Sequence, residues 1–265
     1  MGGFVQLNIG GTVFLERGQR GIVPCPLIKS RQISPGNVDA MYWFFGSASD
    51  ASILIYYFFG KVAPQNGIPE GVYDIDSEFS LIIESVTASN EGTYYFQVKP
   101  HLKMIEEGQV EVSDKVSPSR PYPTVIGCNQ QYDADTCEAR VRHDSTVHNL
   151  TCVMEQVKPA VQLRWFWGGL TELKATVTVR PVVLPAYMGS SLRNHTYSTS
   201  ASVQVAAFDD EEVYVCEAMG VAVGNLGARM IVRLTKAHHT TVAYGGVQSD
   251  NPVEKAAAND GDIVL

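Results

Sequence analysis

The sequence predicts an all-β protein built as two tandem antiparallel β-sandwiches. Three observations carry that reading. Short runs of alternating apolar and polar residues recur between turn signals, and helical periodicity is hard to find. A stretch near the end, Asp210-Glu-Glu-Val-Tyr-Val-Cys216, has an imperfect echo at Asn90-Glu-Gly-Thr-Tyr-Tyr-Phe96. Between the two halves lies a proline-rich segment, Lys115-Val-Ser-Pro-Ser-Arg-Pro-Tyr-Pro-Thr124. In both copies of the stretch a turn residue precedes a tyrosine by four positions, and a core position follows two later. Strand side chains alternate between faces, so the tyrosine and its next-but-one neighbour point into the same core. The first copy has Phe96 where the second has Cys216.

A chain of 265 residues fits two domains, and 45% hydrophobic with 18% charged residues is the composition of a packed protein. The net charge of −8 and the lack of a basic run argue against nucleic acid. There is no G-x-S-x-G, no H-E-x-x-H and no phosphate-cradling glycine loop. The six histidines are scattered, and none is spaced with a serine or cysteine as a triad. The expectation is therefore a recognition protein, not an enzyme, with no cofactor and no metal. Asp209-Asp-Glu-Glu212 could suggest calcium, but it falls in the turn before a strand and reads as part of that turn. The five cysteines, at 25, 128, 137, 152 and 216, leave at least one unpaired within the chain. Two sequons, Asn149-Leu-Thr and Asn194-His-Thr, add to the cysteines in favouring an oxidising, extracytoplasmic compartment. No apolar run is long enough to span a bilayer, and the N-terminus lacks a signal-peptide pattern. The expectation is an extracellular, secreted or cell-surface ectodomain whose membrane anchor lies outside this sequence.

In the first domain, residues 1–114, strands are expected at 5–9 and 12–15, separated by Gly10-Gly11. Gly21-Ile-Val-Pro-Cys25 puts Val23 and Cys25 on one face. Met41-Tyr-Trp-Phe-Phe45 turns Met41, Trp43 and Phe45 inward and leaves Tyr42 and Phe44 outward. Residues 52–59 form a dense β-branched and aromatic strand. Leu81 and Ile83 alternate inward, Tyr94, Phe96 and Val98 continue that face, and 109–112 close the domain.

Cys25, Trp43, the Leu81/Ile83 alternation and Asn90…Gly92-Thr-Tyr94 resemble a variable-type immunoglobulin domain over nearly all of this half. The extra strand between Trp43 and Leu81 favours variable-type over constant-type. The resemblance implies that Tyr94 anchors a tyrosine corner and that Phe96 replaces the second core cysteine. Cys25 is then expected to be a buried free thiol against Trp43 and Phe96; a disulfide to another chain is the alternative and requires it to face outward. On the outer sheet face Tyr42, Phe44 and Tyr95 are joined by one of two alternating sets, Tyr56/Phe58 or Tyr57/Phe59. The candidate interface is Tyr42, Phe44, Tyr57, Phe59 and Tyr95. Phe44 and Tyr95 fall where paired variable domains carry aromatic contacts, and aromatics are enriched in interfaces. The competing reading is that the domain's own loops cover them. Antigen-receptor domains carry Phe-Gly-x-Gly before the last strand; of that motif only Gly108 is recognisable here.

Residues 115–122 read as a short, stiff linker. The second domain, 123–236, carries Cys152, Trp165 thirteen residues later and Tyr214-Val-Cys216. This is the full immunoglobulin set, and it implies a Cys152–Cys216 bridge across the core. Further strands are expected at 175–179 and 198–205. The middle is short for a variable domain, so a constant-type sandwich is expected. Cys128 and Cys137, across a turn-rich loop, suggest a local disulfide in preference to a metal site, because no histidine pair accompanies them. Asn149 precedes inward-facing Leu150 and should be solvent-exposed. Residues 237–265, which include His238-His239, are polar and small and read as a stalk or tail.

The whole resembles the two-domain ectodomains of the immunoglobulin superfamily, a layout shared by nectin-like and junctional adhesion molecules, butyrophilin-like ligands and antigen-receptor chains. The divergent first domain also resembles the variable-region receptors of invertebrate chordates. The resemblance implies a protein partner, bound by the first domain. Either its aromatic face pairs with itself or a related domain, or its end loops at 26–40 and 97–107 bind a non-self ligand.

Overall fold

The structure is a computed structural model that describes residues 11–46, 51–142, 147–185 and 191–236. The expected strand at 5–9 and the tail from 237 lie outside the described residues. In the first domain the strands are β1 (Val13–Glu16), β2 (Gly21–Val23), β3 (Val38–Phe45), β4 (Ser52–Phe58), β5 (Lys61–Pro64), β6 (Tyr73–Ile75), β7 (Leu81–Ile83), β8 (Gly92–Pro100) and β9 (Glu106–Lys115). They form a six-stranded sheet, β1-β9-β8-β3-β4-β5, packed on a three-stranded sheet, β2-β7-β6. Pairing is antiparallel except that β1 runs parallel to β9. β2 stops at Val23, because Pro24 cannot donate to a ladder. Within the expected loop at 26–40 sits a one-turn helix, α1 (Pro26–Lys29), which buries Leu27 and Ile28.

The core is set by one substitution. Trp43 and Phe96 pair across β3 and β8, with ring centroids 5.5 Å apart, and Cys25 is buried beside them as a free thiol. Burial pushes the Cys25 thiol up to about 11, so it stays protonated and unreactive at neutral pH. On β9, Gly108 lies opposite Phe96. A Cβ at Gly108 would stand 2.9 Å from ring atom Cε1 and closer still to the ring tip, so the phenyl ring occupies the space of the missing side chain. Phe96 and Gly108 are one packing unit. The Trp43 indole N–H donates to the Phe79 carbonyl (3.2 Å), closing the two sheets over this cluster.

The tyrosine corner is made in the first domain: the Tyr94 hydroxyl donates to the Asn90 carbonyl (3.0 Å). A 3-10 turn, Ala88–Asn90, holds that carbonyl in place, with Thr87 and Asn90 capping one another. Tyr214, the expected complete copy, is buried, but among the described residues its hydroxyl has no hydrogen-bond partner. The bend at 209–210 before it contains no 3-10 turn to lift a carbonyl under the ring.

The second domain contains β10 (Thr124–Val125), β11 (Asn129–Gln130), β12 (Thr136–Val141), β13 (Val147–Val157), β14 (Gln162–Trp167), β15 (Thr171–Leu173), β16 (Thr176–Val182), β17 (Thr196–Ala206), β18 (Glu211–Gly220) and β19 (Gly224–Lys236). Its sheets are β10-β13-β17-β16 and β11-β12-β19-β18-β14-β15. The second sheet ends at the three-residue β15 on one side and at β11 on the other, where β11 pairs with β12 and β12 runs parallel to β19. Cys152 and Cys216 are bonded across the core beside Trp165, whose indole donates to the Ala201 carbonyl (2.9 Å). Cys128 and Cys137 form the second bridge, where β11 meets β12.

The domains meet through charge. Asp114, at the end of β9 and 1% exposed, accepts from Arg17 Nε (2.5 Å) and Lys158 Nζ (2.5 Å). Lys158 also reaches Glu91 (2.5 Å), and Arg17 Nη1 donates to the carbonyls of Leu192 (2.9 Å) and Asn194 (2.6 Å). Val116, in the proline-rich connector, exchanges two backbone hydrogen bonds with Lys158 (2.9 and 3.0 Å). Arg193 bonds the carbonyls of Ser117 and Gln156. The connector is thus part of a packed junction. Burial opposes ionisation of Asp114, but hydrogen bonds from Lys158 and Arg17 outweigh it and hold the carboxyl below the usual carboxylate range. The same partners hold Lys158 above the usual lysine range against its own burial.

Two outcomes follow. Gly108→Ala should lower stability by about 1–3 kcal/mol through overpacking against Phe96, read by urea unfolding, with Phe96→Leu relieving part of the loss in the double variant. Asp114→Asn should cost about 3 kcal/mol by leaving the buried Arg17 guanidinium without its carboxylate. Because the Asp114 value is depressed, its contribution is present above the unfolded carboxylate range and is lost as pH falls through the folded value. The raised Lys158 contributes below the ordinary lysine range and is lost as pH rises beyond it. Thermal unfolding of the wild type should therefore be flat near neutrality, and the gap to Asp114→Asn should shrink in acid.

Candidate functional site

The outer face of the six-stranded sheet carries an aromatic cluster. Strand alternation sends Met41 and Trp43 inward, both 0% exposed, and so leaves Tyr42 and Phe44 on the outside of β3. On β8, Tyr94 and Phe96 are buried, and Tyr95 and Gln97 lie outward, opposite Phe44 and Tyr42. Tyr42 stacks on Tyr56 of β4 at 6.1 Å and 28°, and its ring lies 6.5 Å from Phe44. Tyr42, Phe44, Tyr56 and Tyr95 are each half-buried by one another, in a continuous band across β8, β3 and β4.

The phase of β4 differs from the expectation at Tyr57. A bulge between Trp43 and Phe44 leaves Leu54 as an extra residue on β4, so Ile55 faces Trp43 and Tyr57 faces Met41. Tyr57 therefore points inward, where its ring meets Phe79 edge-on at 4.8 Å and 87°. Tyr56 and Phe58 are the outward pair. Phe59 sits beyond the strand in the tight turn to β5, 65% exposed, with φ 41° followed by Gly60 at φ 87°. Positive φ at both central positions is the geometry of the two-residue hairpin turn, which an aromatic residue adopts only under strain.

The rim of the face is charged. Glu107 and Glu111 stand on β9, hydrogen-bonded to Gln97 (2.7 Å) and Thr93 (2.7 Å), and Lys61 stands on β5 opposite Phe58. Above the face, the loop between β8 and β9 exposes Leu102 (88%), Met104 (86%) and Ile105 (54%). His101 ties this loop to β3 through the Asn37 carbonyl (2.8 Å) and the Asp39 carboxylate (3.1 Å), and the Phe59 N–H donates to the Asp39 carbonyl (3.0 Å). The β4–β5 turn and the β8–β9 loop therefore share one end of the domain.

Of the sequence-predicted residues, Tyr42, Phe44 and Tyr95 come together, Phe59 lies at the distal tip, and Tyr57 is separated from them by the sheet. Sequence reasoning offered Tyr56/Phe58 and Tyr57/Phe59 as alternative sets and chose the second for the interface; it named the loop at 97–107 as a candidate binding loop without singling out its apolar residues Leu102, Met104 and Ile105. Asn149 is exposed on β13. Asn194 is half-buried at the domain junction, where its side-chain oxygen accepts from the Leu184 and His195 N–H groups (both 3.0 Å). Among the described residues no group of three or more His, Cys, Asp or Glu is placed to hold a metal. His238 and His239 lie outside the described residues. Among the described residues, no helix is long and apolar enough to cross a membrane.

Comparisons with known proteins bear on this geometry. Residues 11–113 match the immunoglobulin V-set domain model. No curated protein sequence matches the chain. Among solved structures, Rst D1-D2 is similar at 16% identity and a TM-score of 0.47, over 85% of this chain and 95% of that one. Murine CEACAM1b is similar at 13% identity and 0.44, over 84% and 94%. The CD2-binding domain of CD58 (lymphocyte function-associated antigen 3) is similar at 12% identity and 0.43, also over 84% and 94%. The V-set is not a family known for enzymes. The matched region spans both sheets that frame the Trp43–Phe96 core and the tyrosine corner, and over those residues the first domain matches an immunoglobulin V-set domain.

Proposed function

We propose that the chain is an extracellular recognition and adhesion protein whose V-set domain pairs, face to face, with a second copy or a related domain. The observation that carries this reading is the aromatic band Tyr42–Phe44–Tyr56–Tyr95 across β8, β3 and β4. Clustered aromatics supply a large desolvation gain at small cost in side-chain entropy, and they dominate the centres of protein interfaces. The rim supports self-pairing. A two-fold axis along the strands lays β9 of one copy over β5 of the other, so Glu107 comes near Lys61 on both sides of the axis. The role is binding, not catalysis, and the partner is a protein. Asn149, exposed on its strand, is the sequon whose position suits a glycan; Asn194 is already engaged at the domain junction.

A second reading rests on the loop tip. Leu102 and Met104 are nearly fully exposed beside Phe58 and Phe59, as end loops that bind a non-self ligand would be. One experiment separates the two readings. In sedimentation equilibrium the wild type should dimerise at micromolar concentrations, and Phe44→Asp and Tyr95→Asp should each weaken dimerisation by about tenfold or more. Leu102→Ser with Met104→Ser should leave it unchanged. A wild type that is monomeric at high micromolar concentration overturns the self-pairing reading, and dimers lost only in the loop variant move the interface to the tip.

A further inference from the structure

On the other side of β4 from the aromatic band lies a cleft of about 440 Å3, within the size range of ligand pockets. Its walls are Tyr57, Val62, Ile75 and Phe79, and its polar groups are Asp76 and Ser77. The 3-10 turn Pro35–Asn37 closes the remaining side. Tyr57 belongs to the inward phase of β4, so this cleft shares no wall with the candidate pairing face.

The cleft is rigid and carries an uncompensated charge. Asp76 Oδ1 accepts from the N–H groups of Glu78 (2.9 Å) and Ser80 (2.8 Å), and its backbone bonds Ser80 and Phe79 (3.1 and 3.0 Å). Both side-chain bonds go to one carboxylate oxygen, which fixes the group and leaves Oδ2 directed elsewhere. Among the described residues, no Lys, Arg or His comes within ion-pair distance of Asp76. Phe79 is held at φ 58°, a conformation that a bulky residue adopts only when its surroundings enforce it. Here the enforcement is visible: the Phe79 carbonyl takes the Trp43 indole N–H, its N–H donates to the Asp76 carbonyl, and its ring abuts Tyr57. The result is a fixed carboxylate at the rim of an aromatic-walled slot. That combination selects a cation on an apolar stem. The stem gains contact with Val62 and Ile75, and the cation gains a ring and a carboxylate. A planar guanidinium can lie along an aromatic wall while its fork meets Asp76 Oδ2 and the Ser77 hydroxyl, which a compact ammonium cannot do simultaneously.

We propose that this cleft is a binding site for an arginine side chain presented by a protein partner. The site lies off the pairing face, so it allows a partner to engage a V-set domain that is already paired through its aromatic band. The test uses N-acetyl-arginine methylamide as the probe, titrated into the full chain and followed by backbone amide NMR. Saturable shifts are expected at Tyr57, Asp76, Ser77 and Phe79, and the neutral analogue N-acetyl-norleucine methylamide should bind at least about tenfold more weakly. Asp76→Asn keeps an oxygen for the two capping N–H groups and removes the charge; it should weaken the arginine probe by about tenfold and leave the norleucine probe unchanged. Val62→Arg, at a position 40% exposed on the cleft mouth, should fill the slot from within and abolish the shifts. Absence of shifts at the cleft overturns the proposal, as do shifts that persist at full size in Asp76→Asn or in Val62→Arg.

Discussion

The contact between the Phe96 ring and Trp43, with Gly108 giving up its side-chain space, is the constraint on which the first domain depends. Immunoglobulin domains usually close this point with a disulfide, which acts largely by restricting the unfolded chain. Here closure is by volume. A phenyl ring fills the position, a glycine on the neighbouring strand makes room for it, and Cys25 remains as a buried, protonated thiol. The arrangement also fixes strand phase. With Phe96 and Tyr94 inside, Tyr95 has no choice but the outer face, and its cross-strand partner Phe44 follows. The core substitution and the aromatic band are two sides of the same register.

The second domain and the junction give that face its setting. The second sandwich keeps its Cys152–Cys216 bridge and its buried Trp165. The Arg17–Asp114–Lys158–Glu91 chain of charges, with the Val116–Lys158 backbone pair, joins it to the first domain over the proline-rich connector. Breaking one member of a buried charge chain is far more costly than forming the chain is favourable. Such a junction resists bending more than it adds to net stability. A fixed angle between the domains presents the face and the distal loops in a defined direction, a setting consistent with the proposed pairing.

What could be read from the sequence divides along physical lines. Period-two alternation places Trp43, Tyr94, Phe96 and Cys152 correctly, because each lies in a strand with one wet face and one dry face. The same rule gives no phase for Ser52–Phe58, where apolar residues occupy both faces, and the Leu54 bulge that decides between Tyr56 and Tyr57 leaves no sequence mark. The tyrosine corner was legible as spacing, yet the hydroxyl tie forms at Tyr94 and not at Tyr214, since it depends on whether the preceding turn is a 3-10 turn. The junction brings together residues up to 177 positions apart, and the Asp76 cleft joins 3-10 turn, strand and loop residues of unrelated sequence. No local pattern encodes them. Charges that look like ordinary solvated surface, such as Arg17 and Asp114, prove to be buried partners.

The most direct test of the central claim, that the Phe96 phase places Tyr95 on a self-pairing face, is fluorotyrosine NMR of the full chain as a function of protein concentration. The account predicts that the resonances of Tyr42, Tyr56 and Tyr95 shift together with a single concentration dependence, and that those of Tyr57 and Tyr94, inside the sandwich, stay fixed. Resonances of Tyr42, Tyr56 and Tyr95 that do not change with concentration, or movement of Tyr94 in their place, would contradict it.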